Sequence, residues 1–141
     1  MREITQKTLW LGNAIDTRDL RHVHDAGISA IVDVALEEPG AQLTRDLIYC
    51  RIPLLDGAAN RAELLALAVE TTASLIRKKI PTMVVCGAGM SRSPSIVACA
   101  LALVRDTAPD EELQRLVEGH PHDVSPLFWA DVLKTYQSLV S

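Results

Sequence analysis

Between Thr82 and Val104 the order of residue types permits few conformations. A short apolar run, Thr82-Met83-Val84-Val85, leads into Cys86-Gly87-Ala88-Gly89-Met90-Ser91-Arg92-Ser93-Pro94-Ser95, and the strongly apolar segment Ile96 to Val104 follows. This reads as strand, tight loop and helix. A loop that enters a helix at about Ser91 or Arg92 turns main-chain N–H groups inward, and the helix N-terminus adds partial positive charge, so the stretch is suited to an anion. Gly87 and Gly89 let the backbone approach that anion and take left-handed conformations at little cost. Arg92, six positions after Cys86, can fold back over the loop mouth and grip two oxygens of a phosphate. The same field favours thiolate over thiol at Cys86, which places a nucleophile in the cradle. Cys99 and Arg105 repeat the spacing, but Ala-Leu-Ala-Leu-Val lies between them and no glycine does. They are expected in a helix interior, without a ring of amides.

A chain of 141 residues, 48% hydrophobic and 23% charged, fits one globular domain spanning 1–141. The N-terminus lacks the apolar region of a secretory signal and no apolar run approaches a membrane span, so a cytoplasmic protein that does not engage a membrane is expected. A net charge of -4 argues against a broad nucleic-acid surface. Three irregularly spaced cysteines suit a reducing compartment better than a disulfide framework. His22 and His24 point to different faces of an expected helix, and His120 and His122 flank Pro121, so no metal site is expected among the histidines.

Taken in order, Thr8 to Gly12 suits an edge strand and Asp16 to Gly27 a helix stopped by its glycine. Ile28 to Ala35 has the β-branched, continuously apolar character of a buried parallel strand. Leu47 to Leu55 is the next strand, and Asp56-Gly57-Ala58-Ala59 a flexible loop. Asn60 followed by Glu63 suggests a capping box opening a helix that closes near Arg77-Lys78-Lys79. After the Cys86 loop and its helix, Pro109 and Ser125-Pro126 each mark a further helix start, with Gly119 between them. Strands alternating with helices, then helices in succession, indicate an α/β fold with a mainly parallel central sheet flanked by helices. Ligands of such sheets bind at the carboxyl ends of the strands, where Cys86 and Asp56 both emerge.

The block Cys86-Gly87-Ala88-Gly89-Met90-Ser91-Arg92-Ser93 resembles the active-site loop of the dual-specificity phosphatases, within the cysteine-dependent protein tyrosine phosphatases. Leu9 to Asn13, Asp25 to Val34 and Tyr49 to Asp56 are similar to that family's opening strand, first helix with its strand, and acid-bearing segment. The resemblance implies Cys86 as nucleophile, Arg92 and the amides of Gly87, Ala88, Gly89, Met90, Ser91 and Arg92 as phosphate ligands, and Asp56 as general acid. It implies Ser93 as the hydroxyl that stabilises the departing thiolate, with no cofactor and no metal. Asp56 also has a plainer reading as the turn residue of Asp-Gly.

The family usually carries histidine before the nucleophile, where this chain has Val85. Valine cannot make the imidazole's hydrogen bond, so a looser loop and weakened catalysis are expected. Two alternatives stand beside a phosphatase acting on a phosphorylated protein or small phosphoester: a non-catalytic or weakly active phosphate-binding module, and a rhodanese-like sulfurtransferase, which has no need of Asp56. Cys50, on the strand entering the acid loop, is either a core cysteine or a partner that traps Cys86 as a disulfide. The neutral residues Ala88 and Met90 give no sign of the basic side chains that multiply phosphorylated inositol lipids require.

Overall fold

Side chains alternate along the strand Thr82–Cys86, and that alternation sorts the interior into two layers. Val84 and Cys86 face one cluster with Leu9, Leu11, Val32 and Val34, whereas Met83 and Val85 face another with Trp10, Val23 and Ile31. The computed structural model describes residues 1–44, 46–88 and 90–141. Within them β1 (Arg2–Thr5), β2 (Leu9–Asn13), β3 (Ala30–Ala35), β4 (Ile48–Leu54) and β5 (Thr82–Cys86) form one sheet in the order β1-β2-β5-β3-β4. The pairings β2 with β5, β5 with β3 and β3 with β4 are parallel, as expected, and only β1 runs antiparallel to its neighbour.

The helices are α1 (Leu20–Asp25), α2 (Ala62–Arg77), α3 (Arg92–Arg105), α4 (Pro109–Val117) and α5 (Pro126–Val140). They divide unequally between the faces. Helices α2, α3 and α5 supply Leu65, Val69, Ile96, Val97, Phe128 and Val132 to the larger cluster, and Leu116 of α4 joins it. α1 covers the other face through Val23, with Ile28 just beyond it. Each such aliphatic side chain, fully buried, stabilises by about 1.5–3 kcal/mol, so the larger layer carries most of the fold's apolar stabilisation. α3 is buried from Arg92 through Ala102, which explains its nearly unbroken apolar sequence.

The structure departs from the sequence-based expectations in three places. β1 exists although Arg2-Glu3-Ile4-Thr5 contains one apolar residue. Its register with β2 gives it a partner, and β2 is therefore an interior strand with Trp10 buried. The expected helix from Asp16 to Gly27 breaks into a 3-10 turn at Asp16–Arg18 and α1, because two aspartates take other work. The Asp16 carboxylate accepts from the main-chain N–H of Asn13 at 2.8 Å, and Asp19 caps α1 by accepting from His22 at 3.1 Å. Asn60 does not cap α2, whose N-cap is Arg61. Its amide turns back instead: Oδ1 accepts from the N–H of Leu55 at 2.8 Å, and Nδ2 donates to the carbonyls of Leu55 at 2.9 Å and Gly57 at 3.3 Å. The loop expected to be flexible is thus pinned on both sides of Asp56.

Candidate active site

The centre of the site is the end of β5, an interior strand between β2 and β3 whose five residues are all buried. Cys86 closes that strand on the face covered by α3, so its sulfur lies beneath the first turn of the helix. Sγ is 3.3 Å from the hydroxyl of Ser93, which is fully buried. Helix α3 begins at Arg92 with Ser91 as N-cap, and its first turn therefore points toward the sulfur with its free N–H groups.

Arg92 is buried, and its guanidinium is fixed by two elements remote in sequence. Nη1 donates to the carbonyl of Leu54 at the end of β4 at 2.8 Å, and Nη2 donates to Oε2 of Glu37, in the loop after β3, at 2.8 Å. Burial pulls the Arg92 pKa down, but the bond from Glu37 and the charges of Cys86, Glu37 and Asp56 outweigh it, and the net shift is upward. Glu37 shifts the opposite way: its bond to Arg92 holds the carboxyl below the ordinary value against a smaller opposing effect of burial. Both directions describe a charge pair that stays ionised. Arg92 Nε is buried and without a partner among the described residues. A buried donor of that kind is costly unless a ligand satisfies it, and an oxyanion beside Cys86 is the ligand whose charge matches.

Asp56 follows β4 directly. Its Oδ1 accepts from the hydroxyl of Ser91 at 2.6 Å, and the same hydroxyl oxygen accepts from the main-chain N–H of Ser125 at 2.9 Å. Ser91 therefore joins the acid loop, the Cys86 loop and the start of α5. A pocket of about 90 Å³ is lined by Asp56, Cys86, Ala88, Met90, Ser91, Arg92 and Asp123. The residues singled out from the sequence thus converge, with Ser93 behind the sulfur and Gly87 beside the arginine. Gly89 lies outside the described residues. Gly87 does not take the expected left-handed conformation. Its lack of a side chain gives close room: a Cβ there would stand 3.2 Å from Arg92 Nη2 and 3.3 Å from Glu37 Oε2, pressing on the ion pair.

Two functional neighbours escaped the sequence reading. Neither Glu37 nor Asp123 stands out in the sequence. Asp123 reaches the pocket because its N–H bonds the carbonyl of Met90 at 3.0 Å. No local pattern signals either residue, since both contacts arise from chain segments far apart.

The two other cysteines lie away from the site. Cys99 is buried in α3, and burial, reinforced by Asp110, pushes its thiol up to about 12. Cys50 on β4 lies opposite Val32, which pairs on its other side with Val84. It is therefore two strands away from β5, roughly 9.5 Å by strand spacing alone, and offset along the sheet from Cys86. A disulfide needs Cα atoms closer than about 7 Å, so the trapping role for Cys50 is corrected to a partly buried core cysteine. Val85 faces the apolar cluster of Trp10, Ile31 and Met83, so nothing at that position bonds into the loop.

A family model described as "Polymorphic toxin system, DSP-PTPase phosphatase" matches residues 6–106. The chain belongs to this family of cysteine-dependent, dual-specificity-type phosphatases. The dual-specificity phosphatase fold is also that of human DUSP28, at 22% identity over 99% of this chain and 98% of that one, with a TM-score of 0.84. A mouse putative dual-specificity phosphatase complexed with zinc tungstate is 25% identical over 94% of this chain and 84% of its own, with a TM-score of 0.78. The human tyrosine phosphatase-like serine/threonine/tyrosine-interacting protein is 16% identical over 100% and 98%, at a TM-score of 0.83, and speaks for the fold alone. No curated protein matches the sequence. In this dual-specificity phosphatase the strand end, helix N-terminus and buried arginine meet at one pocket, and no helix among the described residues is long and apolar enough to cross a membrane.

Proposed function

We propose that this phosphatase hydrolyses phosphate monoesters through a phosphocysteine at Cys86. In the first step the thiolate attacks phosphorus in line with the leaving oxygen: the S–P bond forms, the P–O bond breaks, and a protonated Asp56 gives its proton to the leaving oxygen. The bond from Ser91 uses one Asp56 oxygen and leaves the other for that proton. Arg92 Nε and the loop amides stabilise the equatorial oxygens. In the second step the Asp56 carboxylate takes a proton from water, the water oxygen attacks phosphorus, and the S–P bond breaks. Ser93 donates to the sulfur as it leaves, and inorganic phosphate departs.

The observation that supports this reading best is the meeting, in one small pocket, of a sulfur 3.3 Å from a buried hydroxyl, a buried arginine with an unpartnered Nε, and a carboxylate on a pinned loop. Phosphotyrosine, phosphoserine and phosphothreonine in proteins are the proposed substrates. Because the sulfur must stay reduced, the cytoplasm is the proposed site of action. The description of the matching family leads us to propose that this activity serves within a polymorphic toxin system. Expression of wild type and Cys86→Ser in a growth assay tests that role.

The chemistry is tested by acid quench of a ³²P-labelled phosphopeptide reaction. Label on Cys86, absent together with turnover in Cys86→Ser, supports the phosphocysteine, and turnover that persists in Cys86→Ser overturns it.

A further inference from the structure

Three arginines from three elements line one cavity of about 200 Å³: Arg2 of β1, Arg105 at the end of α3 and Arg115 of α4. Leu101 and Leu116, both buried, form apolar wall beside them, where charges interact more strongly than in open water. The cavity shares no lining residue with the catalytic pocket. Each guanidinium is already held. Arg2 Nη2 donates to the carbonyl of Leu116 at 2.8 Å, Arg105 Nη1 to Oε2 of Glu112 at 3.0 Å, and Arg115 Nη1 to Oε1 of the same carboxylate. These bonds use few of the five N–H donors that each side chain carries, and they reduce the rotamer freedom that a ligand would have to remove.

Positive charge is in excess there. Glu112 is the buried carboxylate of the lining, and two arginines share it. Glu3 also borders the cavity, but its register partner on β2 is Trp10, which faces the smaller core cluster, whereas Arg2 pairs with Leu11 of the larger one. Alternation therefore turns the Glu3 side chain to the opposite face of β1, and its carboxylate accepts from the N–H of Lys7 at 3.2 Å. Glu111 is exposed and reaches Arg115 only at 3.9 Å. Burial lowers the Arg2 pKa, and no neighbouring carboxylate opposes that shift. A partly buried cation without a counterion is costly, and an anion in the cavity would relieve the cost.

We propose that this cavity binds a phosphate dianion at a site separate from the catalytic sulfur. Guanidinium forks match the oxygens of a phosphate in pairs. Two negative charges balance the excess of three guanidiniums over one enclosed carboxylate. At about 30 Å³ per water the cavity has room for roughly six waters, enough for a tetrahedral oxyanion with part of its hydration shell. Binding there needs no turnover and no part of the Cys86 loop. The dianion is either free inorganic phosphate or a phosphoryl group carried by a protein.

Titration of the whole chain with sodium phosphate, followed by two-dimensional NMR of the backbone amides, reads this cavity and the catalytic loop separately. Sodium chloride at equal ionic strength is the control. Saturable shifts are expected at Ile4, Leu101 and Leu116, and chloride should not reproduce them. Arg2→Met and Arg115→Met should each raise the Kd read at those amides about tenfold, the scale of one charge-assisted hydrogen bond. The amides after Cys86 should respond in both variants as in wild type, which also shows that the variants fold. A second titration uses a non-hydrolysable phosphonate analogue of a phosphotyrosine peptide. Saturation by inorganic phosphate assigns the site to the free anion, and saturation by the peptide alone assigns it to a protein-borne phosphoryl group. Shifts that chloride reproduces, that neither titrant saturates, or that survive both substitutions unchanged overturn the site.

Discussion

Glu37 holds the Arg92 guanidinium in a two-pronged grip, with Oε2 2.8 Å from Nη2 and Oε1 2.5 Å from Nη1. The grip occupies the two terminal nitrogens and leaves Nε, buried and without a partner among the described residues, for the proposed phosphate. Fixing the fork before substrate arrives means that less rotamer freedom is lost on binding. Glu37→Gln removes the charge and one acceptor. The KM for an aryl phosphate should rise and kcat should fall, together lowering kcat/KM about tenfold, the scale of one charge-assisted hydrogen bond. Steady-state kinetics checks it, with Glu37→Asp expected to lie between.

The same pair sets a pH limit. The Glu37 pKa is depressed from the ordinary 4.5 in the folded chain by its bond to Arg92. A depressed carboxylate contributes stability that is fully present above the unfolded value and is lost as pH falls through the folded one. The difference in melting temperature between wild type and Glu37→Gln should therefore be constant from neutral pH to about pH 4.5 and shrink below it. A difference that grows on acidification would contradict the assignment.

Ser91 links Asp56 to the start of α5, so its removal should act through the acid. Asp56→Asn is expected to lower kcat by about 10²–10⁴-fold, the usual contribution of a proton donor. Ser91→Ala leaves the carboxylate in place but unanchored. Its effect should fall mainly on substrates with poor leaving groups, such as an alkyl phosphate, and little on para-nitrophenyl phosphate. Comparing the two substrates with both variants separates positioning from proton transfer.

Cys50 is too far across the sheet to protect Cys86 by pairing. After mild peroxide, mass spectrometry should find the sulfenic acid of Cys86 and its further oxides, with no peptide joining residues 50 and 86. Cys50→Ala should leave recovery by reductant unchanged.

Glu112 is 1% exposed. Its carboxylate accepts from Arg105 at 3.0 Å and pairs more closely with Arg115. Glu112→Gln should lower stability by about 2–3 kcal/mol, because buried charge-assisted bonds are lost, and leave kcat unchanged. Denaturant unfolding and the aryl phosphate assay measure the two effects.

Local sequence order by itself determined the central strand, the nucleophile loop and its helix. Glycines, hydroxyl residues and an apolar helix occur there within some twenty consecutive positions, and such short-range patterns act through backbone geometry. The mainly parallel sheet was legible for the same reason, from alternating strand and helix patterns. Glu37, Asp123, the anchor of Arg92 on Leu54, and the turning of Asn60 and Ser91 away from capping toward the acid loop were decided only by tertiary structure. A polar side chain at a helix start has a local partner and a distant one of similar worth. Which it takes depends on where the sheet places the distant group, and sheet order brings together residues 37, 54, 56, 92 and 123 that no local periodicity connects. The exclusion of Cys50 follows from the same strand order: it shares a segment with the acid, yet β3 stands between it and the nucleophile.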